Sequence, residues 1–353
     1  MREIRDLIRF NKRQDRDIVF YSEYQDYYDY FEGVIHKLKK FYSYITSDSK
    51  DSILSQPNGY YIKWLLTYVM SNLDCKVCIM TVPDLQKYYL KRSRKNVHYV
   101  YLFHSLASTH MMYSEGAFDH YDSILCCGPH QYDEIKAYEK LHGLKPKKLV
   151  KAGYYRIEKL YNQYRNYRKK SDGTTILVAP SWGKGNILET CGRQIVGTLL
   201  NERYNVIIRP HWETIRRNPK LVASYSRLSC KMDLSNASHE SLLEADVLIT
   251  DYSSISLKYA LATERRVLFI NTRKKVHNPN WKDLGIKPIE LRLRPEIGIE
   301  IPADHLSKLS ETIRAILNER ADFRDFSAKL RDKYIFNFGK SSEIGAEYIR
   351  SLL

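Results

Sequence analysis

The sequence predicts an α/β protein of two Rossmann-like domains, on three observations. Short β-branched and aromatic runs alternate with helix-like stretches up to about residue 158, a polar basic break follows at 161–173, and the alternation then restarts. Such alternation is the mark of parallel strands joined by covering helices. The length agrees, because 353 residues exceed the ~100–200 that one domain usually holds and suit two.

In the first half DIVFYS (17–22), KVCIMT (76–81), NVHYVYL (97–103), SILCC (123–127) and KLVKA (148–152) read as strands, the last two each followed by a glycine. Stretches 31–40 and 60–70 read as helices between them. The break YNQYRNYRKKSDG lacks apolar periodicity and reads as an exposed linker. Beyond it come predicted strands at 174–179, 204–209, 246–250 and 266–270, with helices at 186–201 and 255–263. From about 305 the apolar spacing is helical, as in LSKLSETIRAIL and IGAEYIRSLL. The expected division is an N-terminal α/β domain at 1–160, a C-terminal one at 174–325, and a terminal helix at 326–353 returning toward the first. Two such halves with terminal helices suggest the GT-B architecture, with a ligand cleft between domains near 159–173 and ligands beyond the carboxyl ends of strands.

Composition narrows the function classes. Lys and Arg number 57 against 41 Asp and Glu, a surplus of +16 that calls for an anionic partner: phosphate, acidic lipid or nucleic acid. No nucleic-acid-binding motif accompanies that charge, despite 29 tyrosines that offer stacking surface. The charged start MREIRDLIRF is no secretory signal, and no run approaches the ~18 apolar residues a spanning helix needs, so a cytosolic protein is expected. Cys75 and Cys78 have CxxC spacing and Cys126 and Cys127 are adjacent, yet both pairs lie in predicted strands, where such neighbours point to opposite faces. Reduced, partly buried thiols are expected rather than a metal site.

Several clusters fall at predicted strand ends. Thr250-Asp251-Tyr252-Ser253-Ser254 follows a strand and opens a helix, where hydroxyls meet unpaired backbone N–H groups and the positive end of the dipole. An ordinary helix cap is the alternative. Arg209-Pro210-His211 ends the strand before it, offering a planar fork and a further donor to phosphate. Ala179 to Gly185 (APSWGKG) ends another strand, and its Gly-x-Gly lacks the dinucleotide fingerprint, so nicotinamide chemistry is not supported. In the first half His104 stands at the lip of a strand with Ser105 and Ser108 behind it, a place suited to a base. His98, His110, His120 and His130 compete for that role.

Taken together these pieces resemble the CDP-glycerol glycerophosphotransferase family of teichoic-acid and capsule enzymes. TDYSS after a strand, RPH one strand earlier, a strand-end histidine and the closing segment Lys151-Ala152-Gly153-Tyr154-Tyr155-Arg156 carry the resemblance over about 75–275. It implies a GT-B fold and transfer of glycerol phosphate, or a related polyol phosphate, from a CDP-linked donor to a hydroxyl of a lipid-linked or surface-glycan acceptor, with release of CMP. It makes His104 the base, Arg209 and His211 ligands of the donor phosphates, and Ser253 and Ser254 ligands of the pyrophosphate. Asp251 and Ser181 join them as donor-site candidates, with Asp251 also suited to fixing the turn. Family members usually have Gly where this chain has Ser105, and Pro where it has Trp212.

No obligate metal follows, since no carboxylate-rich motif is present, although a diphosphate could bring Mg²⁺. A lipid-linked acceptor would draw the enzyme to the inner face of the membrane. Six of the first 16 residues are Lys or Arg, with Ile4, Leu7 and Ile8 at helical spacing, so an interfacial helix on an anionic surface and a helix packed on its own domain are both open. The nearest rival is a GT-B glycosyltransferase using a nucleotide sugar, which the same phosphate-binding helix end would serve.

Overall fold

A computed structural model describes residues 2–235 and 238–353. The chain forms two compact units. The first comprises Met1–Arg156, His277–Ile286 and Tyr334–Leu353, the second Ile157–Val276 and Lys287–Lys333.

The first unit holds a seven-stranded sheet of β1 (Ile18–Ser22), β2 (Ser43–Thr46), β3 (Gly59–Tyr61), β4 (Val77–Met80), β5 (His98–Leu102), β6 (Ser123–Cys126) and β7 (Lys148–Lys151). Every pairing is parallel, in the order β3-β2-β1-β4-β5-β6-β7. Strands β1, β2, β4 and β6 are buried at every position, as expected of a parallel sheet covered on both faces. Edge strand β7 instead carries exposed Lys148 and Lys151, charges that discourage further pairing. One face packs Phe20, Phe31, Val34, Leu38 and Ile79. The rings of Tyr101, Phe103, Tyr113, Phe118 and Tyr121 pack together edge-on or tilted, which accounts for part of the tyrosine count.

The C-terminal helix Ser341–Arg350 belongs to this unit and lies along the helix Tyr28–Leu38. There Gly345 faces Val34, and Arg350 Nη1 donates to the Lys37 carbonyl at 2.8 Å. The segment His277–Ile286 is also tied here, through His277 N–H to the Met111 carbonyl (3.0 Å), Asn278 Nδ2 to the His110 carbonyl (3.0 Å) and His110 Nε2 to the Ile286 carbonyl (3.0 Å).

The second unit repeats the plan with β8 (Thr175–Val178), β9 (Asn205–Ile208), β10 (Lys231–Met232), β11 (Val247–Thr250), β12 (Val267–Asn271) and β13 (Gly298–Pro302), all parallel in the order β10-β9-β8-β11-β12-β13. Its core joins Ile176, Val178, Ile208, Ile249 and Leu268 to Ile195, Leu199 and Ile313 on covering helices.

Three expectations need correction. Stretch 60–70 is not one helix: β3 ends at Tyr61 and a helix starts only at Leu66. Stretch 161–173 is not an exposed linker throughout, because a helix runs Tyr155–Asn166. Ile157 and Leu160 are buried on it, Tyr161 lies under Arg331 and Tyr164 under Arg265, while Tyr167 just beyond donates to Glu244. Its tyrosines supply the apolar stripe through cation–π contacts, so a reading that counted only aliphatic residues missed the period. The predicted helix 186–201 starts later, at Gly192, and strands β2, β3, β10 and β13 were not foreseen.

Candidate active site

Both sheets have a topological switch point, where strand order reverses and the loops beyond the carboxyl ends open a crevice. In the second unit it lies between β8 and β11, and most of the predicted donor residues stand on the loops there. Asp251, directly after β11, is fully buried. Its carboxylate accepts the Ser181 N–H at 2.7 Å and the Ile187 N–H at 3.2 Å, and its carbonyl accepts Arg294 Nη1 at 2.7 Å. Thr250 Oγ1 also reaches across to the Ala179 carbonyl at 2.6 Å. Asp251 thus holds the β8 loop in shape, the turn-fixing reading. Gly183 (φ 104°) and Gly185 (φ 83°) let that loop take left-handed turns that other residues rarely adopt.

Ser253 and Ser254 sit half-buried before the helix Ile255–Thr263. Ser254 is the capping residue but its hydroxyl makes no cap bond, and Ser253 Oγ lies 3.5 Å from the Ile255 N–H. The helix start thus retains anion-binding capacity. Ser181 is buried at the neck of the β8 loop.

Arg209 follows β9, and its Nη1 meets Ser241 Oγ at 3.2 Å and the Asp233 carboxylate at 3.6 Å. Those contacts hold the guanidinium in place. His211 caps the helix Trp212–Arg217, its Nδ1 accepting the Glu213 N–H at 3.1 Å. That bond leaves the hydrogen of the neutral ring on Nε2. Burial first, then the neighbouring charge of Lys275, opposed by Glu213 and reinforced by Lys258 and Arg209, pushes its pKa down to about 3. His211 is therefore a neutral N–H donor at physiological pH.

Lys275, on the loop after β12, was not singled out from the sequence. Its ammonium lies 4.5 Å from the centre of the Trp182 ring, whose indole is 6.1 Å from the His211 imidazole and 5.0 Å from the Arg217 guanidinium carbon. Burial pushes its pKa down to about 8 against the opposing pull of Asp251, Glu290 and Glu213. The signal was a run of cations after a strand, Arg273-Lys274-Lys275, which resembles any solvated loop.

In the first unit His104 stands beyond β5, two residues past Leu102. Its Nδ1 is 3.0 Å from the Thr81 carbonyl at the end of β4 and 3.4 Å from Tyr101 Oη. A carbonyl can only accept, so Nδ1 carries the hydrogen and Nε2 the lone pair. Tyr154 Oη donates to the His104 carbonyl at 2.9 Å and fixes the backbone. Tyr27, Tyr30 and Tyr113 surround the imidazole at ring-centre distances of 5.9, 6.1 and 5.8 Å. Ser105 is not among the residues with positive φ, so no glycine is demanded there.

The competing histidines have other work. His98 begins β5, at the opposite end, with Nε2 2.9 Å from Ser123 Oγ. His110 is buried against Glu134 (3.4 Å) and His130 against the Leu106 carbonyl (2.8 Å). His120 is an exposed loop residue. Cys75, Cys78, Cys126 and Cys127 are buried thiols, and burial pushes the first up to about 12. Among the described residues no three His, Cys, Asp or Glu side chains form a group that could hold a metal ion.

Residues 6–272 match the family described as CDP-glycerol:poly(glycerophosphate) glycerophosphotransferase. The chain belongs to that family. It is accordingly an enzyme of the CDP-glycerol glycerophosphotransferase type. Among solved structures it is similar to the wall teichoic acid polymerase TagF, with 15% identity and TM-score 0.62 over 97% of this chain and 90% of that one. A TagF variant soaked with CDPG gives 14% and 0.62 over 99% and 95%. A putative UDP-N-acetylglucosamine 2-epimerase from Listeria monocytogenes gives 11% and 0.58 over 96% and 95%. At these identities the likeness shows the fold, an α/β GT-B-like arrangement of two parallel sheets. No curated protein sequence matches the chain. Among the described residues no helix is long and apolar enough to cross a membrane.

Proposed function

We propose that this glycerophosphotransferase moves glycerol phosphate from CDP-glycerol to a hydroxyl of a lipid-linked or surface-glycan acceptor and releases CMP. The donor half rests on the β8/β11 switch point: the helix start at Ser253 and Ser254 stands beyond β11, Arg209 and His211 stand beyond β9, and Lys275, beyond β12, is near enough to His211 to act on its protonation. A diphosphate would meet there the N–H groups and hydroxyls of the helix start and an Arg209 guanidinium held by Asp233 and Ser241, so little reorganisation is needed as charge develops. Asp251 and Ser181 serve the donor through the loop they shape.

The acceptor oxygen attacks the phosphorus bearing glycerol, and the bond from that phosphorus to the bridging oxygen breaks. CMP departs with the bridging oxygen and its electron pair, stabilised by the same cluster. His104 Nε2 takes the proton of the attacking hydroxyl, and the Thr81 carbonyl stabilises the imidazolium through Nδ1. Where Mg²⁺ accompanies the diphosphate it would supply further neutralisation.

Peripheral association with an anionic membrane face belongs to the same proposal. The first helix, Arg2–Asn11, packs on its own unit through Phe10 against Tyr60 (5.3 Å), yet leaves Ile4 and Ile8 exposed together with Arg2, Arg5, Arg9 and Asn11. Trp64 is 83% exposed on the loop that Glu3 holds through the Lys63 and Leu65 N–H groups. Such a pairing of apolar and basic groups suits a bilayer surface.

The test is nucleotide release in the presence of a glycan acceptor: CMP from CDP-glycerol or CDP-ribitol, UDP or GDP from UDP- or GDP-sugars. Turnover with a CDP-polyol supports the reading, and turnover confined to UDP- or GDP-sugars overturns it.

A further inference from the structure

The first unit has a switch point of its own, between β1 and β4, and its chemistry is opposite to that of the second. The loop after β1 reads Glu23-Tyr24-Gln25-Asp26-Tyr27. It contains no glycine, so it cannot wrap its backbone around a phosphate as glycine-rich loops do. It offers aromatic rings and carboxylates instead.

Tyr24, Tyr27 and Tyr30 recur every third residue through a short 3₁₀ turn into the following helix, so their rings fall on one side. Ring centres are 5.9 Å apart from Tyr24 to Tyr27 and 5.8 Å from Tyr27 to Tyr30. The line ends at His104, whose imidazole lies 5.9 Å from Tyr27 and within 28° of its plane. Tyr24 is 46% exposed, unlike the fully buried Tyr21 on β1 and Tyr44 on β2, so it is not core. The loop is pinned, with the Gln25 N–H donating to Asp48 Oδ2 at 3.2 Å.

The charges complete the picture. Glu23 is half-buried, accepts the Tyr89 hydroxyl, and has its carboxyl pushed up by burial. Arg156 lies 5.0 Å from the Tyr30 ring centre but is ion-paired with Asp29. A phosphodiester brought beside Glu23 and Asp26 would meet like charge and would desolvate at a cost. A neutral ring with hydroxyl edges would not. Its C–H face suits the negative face of a tyrosine, and its hydroxyls suit carboxylate and phenol oxygens.

Building on the proposed transferase activity, we propose that the acceptor hydroxyl is borne by a sugar ring seated against Tyr24 and Tyr27 at the β1/β4 switch point, not by the end of a polyglycerophosphate chain. Glu23 accepts hydrogen bonds from that ring, and Tyr27, between the seat and the base, directs the ring's reactive hydroxyl to His104 Nε2. Tyr24 and Tyr27 are specificity-determining residues on this account, and His104 remains the base.

The experiment uses the whole chain and two probes: octyl β-D-glycosides of common hexoses and N-acetylhexosamines, and sn-glycero-3-phosphoglycerol as a phosphodiester. Saturation-transfer NMR reports binding, steady-state CMP release reports KM and kcat, and calorimetry reports CDP-glycerol affinity. At least one glycoside is expected to show transfer to its ring C–H protons, with the phosphodiester binding at least tenfold more weakly. Tyr24→Ala, an exposed position, should weaken that glycoside about five- to tenfold, the loss of one stacking contact. Tyr27→Leu should raise acceptor KM and lower kcat, whereas Tyr27→Phe restores both. All three should leave CDP-glycerol affinity unchanged. The proposal is overturned if the phosphodiester binds as well as the best glycoside, or if Tyr24→Ala and Tyr27→Leu leave glycoside binding intact. Failure of CDP-glycerol to bind would overturn the proposed function instead, while Tyr24-dependent glycoside binding would still establish the sugar site.

Discussion

Lys275 should reveal the donor site through protons. With its pKa pushed down to about 8, it is about half protonated at pH 8 in the unliganded enzyme. A diphosphate beside it favours the ammonium and raises that pKa. Binding of CDP-glycerol should therefore draw protons from solution, up to about half a proton at pH 8 and less at pH 7, where the lysine is already mostly charged. His211 contributes nothing in this range, because its pKa of about 3 would have to climb by about four units first. The assay is calorimetric titration with CDP-glycerol in buffers of different ionisation enthalpy at each pH, where the dependence of heat on buffer counts the protons. In Lys275→Gln the uptake should vanish, and affinity should fall roughly 10- to 100-fold for a lost charge-assisted contact of about 1.5–3 kcal/mol. If the parent binds CDP-glycerol normally at pH 8 with no proton uptake, or if Lys275→Gln keeps the uptake, the ammonium does not face the diphosphate and the placement of the donor is wrong.

Three further outcomes can be measured independently. His104→Asn should cut CMP release by ~10²–10⁴-fold while CDP-glycerol affinity stays near that of the parent, and Arg209→Ala should do the reverse in emphasis, losing affinity and turnover together; equal effects on affinity would contradict the division of roles. His211 is held neutral in the fold, so it stabilises fully above its unfolded pKa near 6.5 and loses that contribution as pH falls toward 3. In denaturant titrations His211→Asn, which keeps an oxygen to accept the Glu213 N–H, should therefore gain stability relative to the parent on acidification, and a constant difference across pH 7 to 4 would refute this. Glu134→Ala should destabilise by about 3 kcal/mol or more, since the buried carboxylate accepts both the Thr109 N–H (2.6 Å) and hydroxyl (2.8 Å); a melting temperature within a degree of the parent would show those groups find other partners.

What the sequence made legible was whatever rests on local pattern. Buried strands such as β4 and β11 are continuous apolar runs, and His104, Arg209 and Ser253 each follow such a run, so their places at strand ends could be read directly. Strands β3 and β10 have only three and two residues and carry no period at all. Lys275 and Trp182 become notable only when β8 and β12, nearly 90 residues apart, bring their loops to one indole. Asp251 could be assigned to capping or to ligand from its neighbours in sequence, and only the Ser181 and Ile187 N–H groups decide that its oxygens are committed to the loop. The segment His277–Ile286 joins the first unit through hydrogen bonds to residues more than 160 positions earlier, a relation no local signal encodes.

The two histidines proposed for the reaction, one in each unit, differ by one hydrogen bond, and that bond decides their chemistry. His104 Nδ1 meets a carbonyl, so its hydrogen is fixed there and Nε2 presents a lone pair. His211 Nδ1 meets an amide N–H, so its lone pair is consumed there and Nε2 presents a hydrogen. A base must begin with a lone pair and end as an imidazolium with both hydrogens satisfied, which the Thr81 carbonyl allows. His211 could accept a proton only by surrendering its cap on the helix Trp212–Arg217 and charging beside Lys275, Lys258 and Arg209. A donor to phosphate needs the opposite: an N–H that stays in place whatever the pH. On the proposed roles, neither histidine could take the other's place without first exchanging its backbone partner, so the proposal rests on the strand end at Thr81 and the helix start at Glu213 as much as on the imidazoles.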